Sequence, residues 1–185
     1  MKEIGSAPNS FNLPRGLSVY RGVFVLKENS HINAPLERVF LLSTSLAIVE
    51  RELGMHPVAR GGPTRTEGLV VGGDRVRWEG WQLGMPQYHV SLISRFEPFR
   101  FFQDTMVAGR FKFFQHDHEF TELQGHVLLK DVIRFSMPFG PLGKLVGKYI
   151  MVPHIRGLMA RRFALLRQIA ESEEWRRYLP EERAA

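Results

Sequence analysis

The chain has 185 residues, of which 44% are apolar, and a formal net charge of +6. That length suits one domain with a sizeable core and is too short for two unless both are small. Cysteine is absent, which excludes a disulfide framework, a thiolate nucleophile, a zinc–thiolate cluster and a dithiol redox pair.

Residues 1–16 are polar, carry Pro8 and Pro14, and contain no apolar run of the signal-peptide kind. No stretch approaches the length of a membrane span. These features predict a soluble, cytoplasmic protein with a tail over 1–16, a single domain over 17–178 and a second tail over 179–185.

The first periodic segment, Tyr20 to Ile32, is rich in β-branched and aromatic residues and reads as a strand. Asn33, Ala34 and Pro35 stop it. Leu36, Val39, Phe40, Ile48, Val49 and Leu53 then supply the apolar faces of two short helices that end at Gly54. From His56 to Met137 glycine and proline recur at short intervals between runs of Val, Ile, Phe, Trp and Tyr, the pattern of an antiparallel meander. The runs fall near 56–61, 68–71, 75–83, 87–97, 100–108, 111–122 and 126–137.

The last third changes period. Leu142, Leu145, Val146, Tyr149 and Ile150, then Ile155, Leu158, Met159, Phe163, Leu166 and Ile169, recur at threes and fours, as an amphipathic helix requires. Pro153 is expected to kink or divide this helix. Between Lys144 and Arg167 lie six basic residues and no acidic one: Lys144, Lys148, Arg156, Arg161, Arg162 and Arg167. They read as the solvated face of the helix, with arginine stems covering apolar surface. A surface for anionic lipid, an acidic ligand or an acidic partner is the alternative. Nucleic acid is not expected as a partner, because no recognition motif accompanies the basic run.

The hairpin of Phe113 to Met137 can be registered from sequence. A turn centred on Gln124 and Gly125 sets Phe120 opposite Leu129, His118 opposite Asp131, His116 opposite Ile133 and Phe114 opposite Phe135. Side chains alternate along a strand, so all of these share one face, and its apolar majority marks it as the inner one. His116, His118 and Asp131 then stand as polar groups in an apolar surface. Three readings follow: a satisfied core pair that locks the register, a dyad facing a ligand, or a metal site of two histidines and a carboxylate. The spacing permits metal without specifying it, and no metal is assigned.

Gly68 to Asp74 resembles a phosphate cradle only in its glycines, since no Gly-Lys-Ser/Thr follows, and a turn is the better reading. Trp78 is the candidate cavity wall, whereas Trp81 belongs to the opposite strand face. Phenylalanine is concentrated between Phe96 and Phe120, more than a hairpin needs for itself, and is expected partly to fill a core and partly to line a pocket.

Several segments together resemble the SRPBCC or START-like helix-grip superfamily, whose architecture is that of the birch pollen allergen. Ile32-Asn33-Ala34-Pro35-Leu36-Glu37-Arg38-Val39-Phe40 is similar to its strand-to-helix opening. Gly84-Met85-Pro86 with Ile93, then Pro98, Phe102, Asp104 and Gly109, match in order and spacing. His116-x-His118-x-Phe120, Asp131 and Pro138-Phe139-Gly140-Pro141-Leu142-Gly143 complete the pattern. The likeness is to a bacterial ligand-binding branch with polyketide cyclase/dehydrase-like members. His89 and Phe114 replace its tryptophans, Met106 replaces a glutamine, Arg110 stands for a proline, and Pro153 and Arg161 are additions.

The resemblance implies an α+β helix-grip fold: a curved antiparallel sheet of about six to seven strands wrapped around a long C-terminal helix, with two short helices after the first strand. It also implies a hydrophobic cavity between sheet and helix. The expected ligand is a lipid, polyketide, isoprenoid or aromatic molecule, and no cofactor is expected. The candidate binding set is Trp78, His89, Phe101, Phe111, Phe114, His116, His118, Phe120, Asp131, Tyr149 and Met159. If the protein is instead a cyclase or dehydratase, His118 held by Asp131 is the acid–base group and His116 polarises a carbonyl. A third reading is a membrane-surface or protein-interaction module that uses Arg161, Arg162 and Arg167. The oligomeric state is left open.

Overall fold

In the computed structural model, residues 16–20 and 22–179 are described; the expected tails fall outside them, apart from Gly16 and Leu179. Leu179 is 1% exposed and belongs to the core.

Eight strands form one antiparallel sheet in the order β1-β2-β8-β7-β6-β5-β4-β3. They are β1 (Leu17–Tyr20), β2 (Val23–Ile32), β3 (Met55–Pro57), β4 (Arg75–Gln82), β5 (Met85–Glu97), β6 (Phe101–Gly109), β7 (Phe113–Leu123) and β8 (His126–Ser136). The count exceeds the expected six to seven, and Leu17–Tyr20, at the start of the first expected run, forms a strand of its own. Gly22, at φ +83°, sits in a turn that folds β1 back on β2. The run expected at 68–71 is no strand and makes only an isolated bridge, Ser45 to Leu69.

Helices α1 (Leu36–Ser43) and α2 (Leu46–Leu53) carry the chain from β2 to the far edge of the sheet, where β3 begins. Gly54 ends α2 in the left-handed conformation, at φ 63°. Bulges between Val90 and Ser91 and between Ile93 and Arg95 interrupt the β5–β6 ladder. Such insertions bend a strand and increase its twist, which helps the sheet curl around the last helix.

That helix runs without a break through α3 (Gly140–Val146), a π-helical turn over Gly147–Met151, and α4 (Val152–Ala170). The irregularity predicted at Pro153 therefore falls one turn earlier. Val152 N–H donates to Gly147 O, and Pro153, which has no N–H to donate, occupies the first turn of α4. The buried stripe of α4 comprises Val152, Ile155, Met159, Arg162, Phe163, Leu166, Ile169 and Ala170.

Phe40 of α1 anchors the core at one end of the sheet. Its ring meets Phe120 at 5.1 Å, Phe96 at 5.5 Å and Phe102 at 5.9 Å, all edge-on. Full burial of such a side chain stabilises the fold by about 1.5–3 kcal/mol. Much of the phenylalanine excess is thus core, and the cavity lies beyond it along α4.

Candidate functional site

The β7–β8 hairpin has the register expected from its turn, with Phe120 opposite Leu129, His118 opposite Asp131, His116 opposite Ile133 and Phe114 opposite Phe135. Gln124 (φ 35°) and Gly125 (φ 90°) form the turn. Asp131 is fully buried at 0% exposure, so its charge must be met inside the protein.

Three side chains meet it. An ionised carboxylate only accepts, so His118 Nδ1–H donates to Asp131 Oδ1 at 3.0 Å. His116 Nε2 lies 3.1 Å from Asp131 Oδ2, off the line of a hydrogen bond. Arg162 Nε, reaching down from α4, donates to Oδ2 at 3.1 Å. Arg162 Nη1 also donates to Glu52 Oε2 of α2 at 3.1 Å. Arg162 Nη2 stands 3.3 Å from His118 Nδ1. A protonated Nδ1 cannot accept from it, so the shorter contact to Asp131 sets the tautomer and leaves Nε2 as the acceptor of His118.

The electrostatics follow from burial and from these partners. Burial alone would raise the Asp131 carboxyl, but His118, His116 and Arg162 hold it well below the usual carboxylate range. Burial, with His116 alongside, pushes His118 down to about 3 against the pull of Asp131. It is therefore neutral at physiological pH. Burial raises Glu52, which Arg162 only partly offsets. Arg162 is raised because Glu52 and Asp131 outweigh its own desolvation.

Beside this network a cavity of about 470 Å³ lies between the concave face of the sheet, α2 and the last helix. Trp78, Ile93, Phe111, Phe114, Leu158 and Met159 supply apolar wall, and His89, Asp104, His116, His118, Glu52 and Arg162 supply polar groups. His89 stands edge-on to Phe114 at 5.3 Å, and burial lowers its pKa. Asp104, opposite His116 in the β6–β7 ladder, accepts from Ser91 Oγ at 3.0 Å.

Of the expected binding set, Trp78, His89, Phe111, Phe114, His116, His118 and Met159 lie on the cavity wall. The other four do not. Asp131 sits behind the histidines, and Phe120 packs on Phe40. Phe101 is on the other face of β6, under Arg95, because its neighbour Phe102 pairs inward with His118. Tyr149 is 65% exposed, and Gly147 is the buried residue of its turn.

The sequence reading missed Glu52, Asp104 and above all Arg162. Arg162 was assigned to the solvated helix face and is instead 3% exposed. The signal was present: Ile155, Met159, Arg162, Leu166 and Ile169 step by fours and threes, so Arg162 is in phase with the apolar stripe and Arg161 is not. Arg167 is also engaged, donating from Nε to His31 O at 3.1 Å and from Nη2 to Ser30 Oγ at 2.7 Å. The three arginines do not form one free basic face.

His116, His118 and Asp131 offer ligand atoms that all lie within 4.8 Å of one another. Two histidines and a carboxylate make a recognised donor set. Here the carboxylate already takes a full positive charge from Arg162, which a divalent cation would have to confront.

No helix among the described residues is long and apolar enough to cross a membrane. No family model matches the sequence, and no curated protein matches it either. Solved structures do match by shape. The crystal structure of Ara h 8.0201 superposes with a TM-score of 0.59 at 14% identity, over 81% of this chain and 99% of that one. A START superfamily protein from Mycobacterium smegmatis gives 0.58 at 12% identity, over 80% of this chain and 97% of that one. The Zhui aromatase/cyclase from Streptomyces sp. R1128 gives 0.62 at 12% identity, over 85% and 97%. A long terminal helix gripped by a curved antiparallel sheet, shared with these proteins, gives this chain the helix-grip fold.

Proposed function

We propose that the protein binds a hydrophobic small molecule of lipid, polyketide, isoprenoid or aromatic type in the cavity between sheet and helix. The observation that carries this reading is a cavity of about 470 Å³ whose wall is mainly apolar and includes polar groups such as His116 and His118. Its volume suits a drug-sized molecule. Trp78, Phe111, Phe114 and Met159 hold the apolar body, and His116 and His118 hydrogen-bond the polar end. Asp131 and Arg162 act through the histidines by fixing their orientation.

The state of His118 favours binding over acid–base catalysis. A general base works best with a pKa near the operating pH, and a group pushed down to about 3 is a weak one at neutrality. As a neutral acceptor it suits a hydroxyl of the ligand. A cyclase or dehydratase activity is the second reading, supported by the dyad on the cavity wall and by the likeness in fold to an aromatase/cyclase.

Titration with the apolar fluorophore anilinonaphthalene sulfonate tests the binding reading, alongside native mass spectrometry of the freshly purified protein. Saturable binding at one site is expected, together with its loss in Leu158→Trp, which fills the cavity from the helix side. An equal response from that variant, once shown to be folded, would sink the reading. Turnover of a polyketide substrate that is abolished in His118→Gln would replace it with the enzymatic one.

A further inference from the structure

The beginning of the long helix is packed inside out. Its two buried residues are glycines, Gly143 and Gly147. A Cβ on Gly143 would lie 1.8 Å from Pro138 O, and one on Gly147 would lie 2.4 Å from Phe24 Cε2. Several large apolar residues of the same segment are exposed instead. Leu142, Leu145 and Tyr149 are 64%, 57% and 65% exposed, and Ile150 is 48% exposed. Spacing of three and four puts Leu142, Leu145 and Tyr149 on one helix face.

Single exposed apolar residues are ordinary, but a continuous set on one helix face marks an interaction site. Phe139 strengthens the point. It precedes the helix at φ 69°, a left-handed conformation unfavourable for a bulky residue, and is 82% exposed. The backbone is thus strained at a residue whose ring gains no burial in the protein.

Charge identifies the occupant. Met137 to Ala170 contains no acidic residue, while Lys144 and Lys148 belong to the exposed segment itself. A second copy docked about a twofold axis would bring the same lysines together. We propose that the α3 and π-helical segment docks on an anionic lipid bilayer, with Phe139, Leu142, Leu145 and Tyr149 entering the boundary of the acyl chains and the lysines at headgroup level. This surface is distinct from the arginines of α4.

Val146, Ile150 and Met151 of the same segment line the cavity. Docking therefore sets a cavity wall against the bilayer and gives an apolar molecule a path between lipid and protein. That passage rests on the ligand-binding reading, whereas docking itself does not.

Co-sedimentation with vesicles of phosphatidylcholine, with and without phosphatidylglycerol, tests the proposal, with the mass in solution followed by light scattering. The protein is expected to bind the phosphatidylglycerol vesicles and to be released by salt. The double variant Leu142→Ser/Leu145→Ser should bind about tenfold more weakly with unchanged thermal unfolding, and Lys144→Glu should also bind more weakly. Absence of vesicle binding, undiminished binding by the leucine variant, or a dimer that this variant abolishes would each overturn it. Leu158→Trp should still bind vesicles, so failure of the cavity reading and failure of docking are told apart.

Discussion

Arg162 Nε donates to Asp131 Oδ2 across 3.1 Å, and through this contact the last helix is bonded to the centre of the sheet. Both groups are buried, and Glu52 completes the ion network from α2. Three elements far apart in sequence thereby meet at one guanidinium beside the cavity.

Arg162→Met leaves Asp131 and Glu52 buried without their cation. Breaking such a pair costs about 3–5 kcal/mol, and urea denaturation of the variant should show a loss of this size. Replacing the partners as well, in Arg162→Met/Asp131→Asn/Glu52→Gln, should recover part of it. No recovery would mean that the arginine acts by packing rather than by charge.

Acid should weaken the protein through two groups of this network. His118 is held below its ordinary value, so the unfolded chain binds a proton that the folded state refuses. Its stabilising contribution is complete above pH 6.5 and is lost as the pH falls from there to about 3. Asp131 is depressed from its ordinary value, and its contribution is lost only below about pH 4. His118→Gln should therefore flatten the stability profile between pH 6.5 and 3 relative to the parent. Denaturation midpoints that run parallel in the two proteins would contradict this assignment.

Gly147→Ala forces a methyl group to within 2.4 Å of Phe24 Cε2. The overpacking should cost about 1–3 kcal/mol. Thermal unfolding checks the loss, and Gly147→Ala combined with Phe24→Leu should relieve it.

Phe40→Ala removes the ring around which Phe96, Phe99, Phe102 and Phe120 are arranged. A loss of about 3–5 kcal/mol is expected. Trp81→Ala, at a site that is 69% exposed, should change stability by less than about 0.5 kcal/mol.

Local rules made much of the molecule legible. The Gln124-Gly125 turn and strict alternation determined the β7–β8 register, because a short hairpin loop leaves few alternative pairings. The same alternation brought His116, His118 and Asp131 to one face, and the ordered landmarks from Ile32 to Gly143 pointed to the fold. Where a reading went wrong, the deciding step was not local. Phe101 was lost to a one-residue choice of face that the pairing of Phe102 with His118 would have corrected.

Tertiary structure decided that the first turns of the last helix turn glycines inward and which partners the inward face of α4 meets. Periodicity gives an apolar stripe but not the rotation of the helix against the sheet, and the π-helical turn at Gly147–Met151 changes that rotation midway. Leu142, Leu145 and Tyr149 lie on the outward face at the start of the helix, and Val152, Ile155, Met159 and Arg162 are buried beyond the turn. The contacts of Arg162 with Asp131 and Glu52 span 31 and 110 residues of chain, and no local pattern encodes a pair at such distance. Sequence by itself determined most of the strands, the hairpin and the histidines that face inward; docking of the helix decided which charge would meet them and which apolar residues would be left outside.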